Sequence, residues 1–110
     1  MKYFCKVSEK KGTCYHEWQK GKWDEKTFWK EDSLLIHDDV LFSLEMAGLL
    51  GEIIPDYSPY GYCEMNIFQW EQLFNKASLI GGQLKEAVDE ASVWVNENFA
   101  QNEVFTILGI

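Results

Sequence analysis

The chain has 110 residues and a mass of 12.9 kDa, enough for one domain that buries about two-thirds of its surface on folding. An apolar fraction of 46% and an aromatic fraction of 15% exclude a disordered, collagenous or low-complexity chain. The formal net charge is -8, and every one of the 10 basic residues is lysine, which argues against a nucleic-acid binder needing a basic, arginine-bearing footprint.

Residues 2–8 alternate, with Tyr3, Cys5 and Val7 on one face, as in a half-buried strand. A polar turn ending at Gly12 follows, then the β-forming run Thr13 to Trp18. The pair reads as an N-terminal hairpin that sets Cys5 opposite Cys14. Residues 19–32 admit two readings: Trp23, Thr27, Phe28 and Trp29 suit a strand or a short helical turn that Asp24 would cap through Thr27, and a strand over 27–30 with 21–26 as a loop is the favoured one. Ser33 to His37 is a short apolar run that suits another strand.

Asp38-Asp39 opens a helical pattern that Pro55 ends. Residues 55–63 form a loop holding both prolines and Tyr57, Tyr60 and Tyr62. Asn66 and Gln69 have capping-box spacing, and Ile67, Trp70, Leu73, Phe74 and Ala77 form an apolar stripe, so a helix spans 67–79. Gly81-Gly82 interrupts the pattern. A second helix spans about 83–99, and Val104 to Leu108 is a β-branched and aromatic strand that needs pairing and cover. The expected fold is α+β, a small antiparallel sheet of the N-terminal hairpin and the C-terminal strand packed against about three helices.

The N-terminus lacks the apolar core of a secretory signal, no run approaches a membrane span, and three cysteines make no secreted framework. The chain therefore reads as soluble and cytoplasmic. No P-loop or dinucleotide-binding glycine pattern occurs, and no cofactor is implied. Cys14 and His16 supply only half of a zinc site, or a Cys–His nucleophile pair with no Asn or Asp orienter and no oxyanion signal; small buried side chains explain them better. Trp70 and Trp94 lie on helical apolar stripes and read as core. A small enzyme built on Cys14 and His16 is the weakest of the functional readings.

Charge is uneven along the chain. Residues 1–30 hold eight Lys and four acids; residues 31–110 hold two Lys and fourteen acids. A cationic macromolecule would dock on the acidic part. The candidate partner-binding residues are Asp38, Asp39, Glu45, Glu52, Asp56 and Glu64, with Tyr57, Tyr60 and Tyr62 as aromatic anchors. The acids Glu86, Asp89, Glu90 and Glu97 of the 83–99 helix form an alternative face.

Three stretches, Pro55 to Tyr62, Asn66 to Glu71 and Val104 to Ile110, sit in a small acidic Trp- and Tyr-rich chain that resembles the immunity proteins of bacterial toxin systems, including contact-dependent growth inhibition. The resemblance covers about the second half of the chain and assigns no residue a role. It implies a non-enzymatic protein that binds and neutralises a cognate toxin domain, often a nuclease with a basic cleft. The alternative is a small acidic adaptor, or a nucleic-acid mimic that inhibits a DNA-binding protein.

Overall fold

A computed structural model describes all 110 residues. The elements in chain order are β1 (Phe4–Cys5), a 3-10 turn (Val7–Glu9), β2 (Tyr15–Lys20), β3 (Leu34–His37), α1 (Asp38–Ser43), α2 (Met46–Ile53), β4 (Tyr62–Asn66), α3 (Ile67–Ile80), α4 (Gly82–Phe99) and β5 (Val104–Leu108). The five strands make one antiparallel sheet in the order β1-β3-β2-β5-β4. The α+β architecture is the expected one, with a larger sheet and four helices.

Period-2 geometry sorts the strand residues onto two faces. Phe4, Trp18, Leu34, Ile36, Cys63, Met65, Phe105 and Ile107 join the helices in one core of 24 buried residues. Trp18 sits at its centre. Its ring lies 5.1 Å from Phe4, 5.2 Å from Phe105 and 6.4 Å from both Trp70 and Trp94. The two helical tryptophans are core residues, as their stripes indicate, and Trp94 Nε1 donates to the Asp32 carbonyl at 2.8 Å.

The other face carries Glu17, Gln19, Leu35, Thr106 and Leu108, all buried. The segment between β2 and β3 crosses it. The Glu17 carboxylate accepts from Trp29 N–H at 2.8 Å, Lys30 N–H at 2.9 Å and Ser33 Oγ at 2.6 Å. Gln19 Nε2 donates to the Thr27 carbonyl at 2.8 Å. Asp24 Oδ1 accepts from the N–H groups of Lys26 and Thr27, the cap its spacing indicates, although no helix follows. Residues 27–30 are therefore a covering loop and not a strand: Glu17 and Gln19 occupy backbone groups that a ladder would need.

Three further expectations change. The first strand pairs with β3, not β2, so β3 separates Cys5 from Cys14 and there is no N-terminal hairpin. Cys14 has a left-handed backbone, φ 70°, so β2 begins only after it, at Tyr15. The helical pattern from Asp38 divides into α1 and α2, because Glu45 also adopts a left-handed φ of 59° and turns the axis. The run 55–63 is a loop only up to Gly61: Tyr62 and Cys63 belong to β4, whose Cys63 and Met65 are buried and Tyr62 and Glu64 exposed. The helices α3 and α4 and strand β5 match expectation to within a residue or so. Asn66 and Gln69 complete the reciprocal capping box, each bond 2.9 Å long. No helix is long and apolar enough to cross a membrane.

Candidate partner-binding face

The nine candidate residues fall into three places. Asp38 and Asp39 open α1, where negative charge meets the positive end of the helix. Asp38 is engaged: its Oδ1 lies 2.7 Å from Nε2 of the buried His16. Asp39 stands in solvent. Glu45 and Glu52 meet at a shallow cleft of about 240 Å³ with Ile80 and Leu84. Glu52 reaches Lys76 at 3.8 Å, an exposed pair of small energetic weight.

The third place is the free side of β4. Asp56, Tyr62 and Glu64 line a cleft of about 660 Å³ together with Ile54, Asn66 and Gln69. Neither Asp56 nor Glu64 has a lysine or histidine within ion-pair distance. Their charges act on the buried Cys63 thiol, which burial first, then Asp56 and Glu64, push up to about 12. The exposed Tyr62 phenol donates to Glu25 Oε1 at 3.2 Å, and this bond, with the charge of Glu25, raises its pKa.

The three tyrosines differ. Tyr60 is 77% exposed and Tyr62 49% exposed, both open to a partner. Tyr57 instead packs against the core, its hydroxyl buried without a hydrogen-bond partner. Burial, then the charges of Cys63 and Asp38, push its phenol up to about 12. Tyr57 thus serves the fold and not as a surface anchor: its neighbour Ile54 ends α2 inside the core and the chain turns inward there, with Tyr57 N–H donating to the Ile54 carbonyl.

The loop that carries the tyrosines is tied to the C-terminus. Gly109 N–H donates to the Gly61 carbonyl at 2.7 Å and Ile110 N–H to the Pro59 carbonyl at 2.9 Å.

Three of the four acids on the alternative face are occupied within the fold. Glu90 receives the N–H groups of Lys2, Tyr3 and Phe4, Asp89 pairs with Lys85 at 2.6 Å, and Glu97 lies 3.6 Å from Lys20. Charge is also less segregated in space than along the chain. Trp23 stacks edge-on against Tyr62 at 4.9 Å, which brings the lysine-bearing loop beside β4. Trp23 and Glu25 are contacts of the cleft's rim that the sequence did not single out. Nothing local marks them, since Tyr62 lies 37 positions from Glu25.

Cys14 is exposed while His16 points into the core and bonds Asp38, so the two do not act as a pair. No group of three or more His, Cys, Asp or Glu side chains converges as a metal-holding set.

No family model matches the chain, and no solved structure matches it. Among curated proteins the chain is similar to bud site selection protein 3 of Debaryomyces hansenii, with 27% identity over 84 residues. The match covers 76% of this chain and 6% of that protein, so the chain spans only a small part of the length of the relative it matches.

Proposed function

We propose that this protein is an immunity protein that acts in the cytoplasm of the producing cell. It binds a cognate, cationic toxin domain, of which a nuclease domain is the leading candidate, and it acts by binding and not by chemistry of its own. The observation that carries this reading is how the acids are used. Three of the four acids of that α4 face, Asp89, Glu90 and Glu97, are tied to lysines and backbone N–H groups of the same chain, whereas Asp56 and Glu64 flank the exposed Tyr62 with no cationic partner. Uncompensated acids beside an exposed aromatic suit a basic partner: the charges speed encounter and the ring supplies buried area.

This reading expects a toxin domain to be encoded next to the gene for this chain, and the test is binding to the product of that neighbouring frame, measured over a salt series. Association should slow as salt rises from about 0.05 to 0.5 M, because screening shortens the reach of the acidic side chains. Asp56→Lys should weaken the complex at least tenfold at low salt, and Tyr60→Ala should speed dissociation. A toxin that ignores both substitutions and the salt would refute this placement of the interface.

A further inference from the structure

The two edges of the sheet end differently. At β1 the outward N–H of Phe4 donates to Glu90 Oε1 at 2.9 Å, and the N–H groups of Tyr3 and Lys2 donate to the same carboxylate at 3.0 Å. A side chain from α4 closes that edge. The edge at β4 has no such cover.

The phase of the ladder shows which groups are left open there. Gly109 N–H bonds the Gly61 carbonyl, and Gly61 lies one residue before the pair Tyr62 and Leu108. Antiparallel pairs alternate between bonded and non-bonded. Cys63 and Met65 therefore exchange bonds with Ile107 and Phe105, while the N–H and C=O of Tyr62 and Glu64 point away from β5. No other backbone group or side chain of the protein bonds them. The run ends at Asn66, whose N–H is taken by Gln69 Oε1. Natural edge strands are commonly blunted by charge, proline or a bulge; β4, Tyr-Cys-Glu-Met-Asn, has no proline and pairs without a bulge, and its one charge, the exposed Glu64, turns away acidic strands but not a basic one.

We propose that β4 receives an extended segment of the cationic partner as a sixth strand of the sheet, with lysine or arginine side chains set against Asp56 and Glu64. The inference rests on the toxin-binding reading and states how that binding is made. Four open backbone groups give the affinity of strand addition, and the flanking acids give its selectivity. The same acids disfavour a second copy of this chain, since two β4 strands would bring Glu64 near Glu64 between molecules that each carry a net charge of -8.

The experiment uses the product of the neighbouring reading frame, which the toxin-binding reading expects to be the toxin domain, and amide hydrogen exchange of the intact protein, free and bound. Binding should slow exchange at Tyr62 and Glu64 at least tenfold. Glu64→Pro removes an outward N–H and no ladder bond, as an edge strand tolerates. It should weaken the complex at least tenfold, whereas Glu64→Gln, which keeps the N–H, should weaken it less. Binding with unchanged exchange at Tyr62 and Glu64 overturns strand addition and leaves the toxin reading standing, whatever the fate of the proline variant. Absence of any binding overturns both. Protection of the same amides by self-association, seen as a concentration-dependent dimer without toxin, also overturns the proposal.

Discussion

His16 Nε2 lies 2.7 Å from Asp38 Oδ1 and joins the middle of the sheet to the first residue of α1. A carboxylate only accepts, so Nε2 carries the proton. Nδ1 is left buried with no partner. The bond also explains why α1 begins where it does: Asp38 N–H continues the β2–β3 pairing by donating to the Cys14 carbonyl at 2.8 Å, while its side chain turns to the histidine. Asp38→Ala should cost about 1–3 kcal/mol in urea unfolding, because it strands a buried N–H donor. Asp39→Ala, one position on and exposed, should cost less than about 0.5 kcal/mol.

Glu17 holds the covering loop to the outer face of the sheet through three donors. Glu17→Ala should destabilise the protein by about 3 kcal/mol, since two backbone N–H groups and a hydroxyl lose a charged acceptor. Exchange of the Trp29 and Lys30 amides should accelerate more than that of the core amides. Equal acceleration everywhere would mean that the loop does not open on its own.

Glu90 does the same at the β1 edge. Glu90→Gln should keep part of the contact through its amide oxygen, and Glu90→Ala should fray residues 1–5. Limited proteolysis near the N-terminus and exchange at Tyr3 and Phe4 report it. The expected loss of stability for the alanine variant is about 1–2 kcal/mol.

Gly109 lets the chain pass directly against the tyrosine loop. A Cβ there would collide with the Pro59 carbonyl, which is backbone and cannot swing aside as a side chain can. Gly109→Ala should cost about 1–3 kcal/mol and shift the Tyr60 and Tyr62 resonances, with α3 and α4 unchanged.

The buried Cys63 gives a pH dependence. Its thiol, ordinarily near 9, is raised to about 12 in the folded state, chiefly by burial. Between those values the folded protein holds a proton that the unfolded chain has lost. The contribution is therefore complete below about pH 9 and falls as pH rises, by about 1.4 kcal/mol per unit at most for one group. Urea midpoints should drop from pH 8.5 to 10.5, and Cys63→Ala should flatten the drop. At pH 8 iodoacetamide should label the exposed Cys14 first and the native Cys63 last, as mass spectrometry would show.

Local pattern alone determined the class of the fold and its second half. The capping box of Asn66 and Gln69, the stripes of α3 and α4 and the β-branched run of β5 are short-range signals, and short-range energetics set those elements. The alternation of Cys63 and Met65 was also present, but the neighbouring prolines and tyrosines masked it. Only the tertiary structure decided which strand pairs with Phe4, where the helix from Asp38 breaks and which acids remain uncompensated. Pairing β1 with β3 joins residues thirty or more positions apart, and the turn at Glu45 obeys no residue preference of its own. Charge counts could locate fourteen acids after residue 30, yet Glu90 and Asp56 look alike in a sequence. They differ because three backbone N–H groups fold back onto one carboxylate and no cation approaches the other.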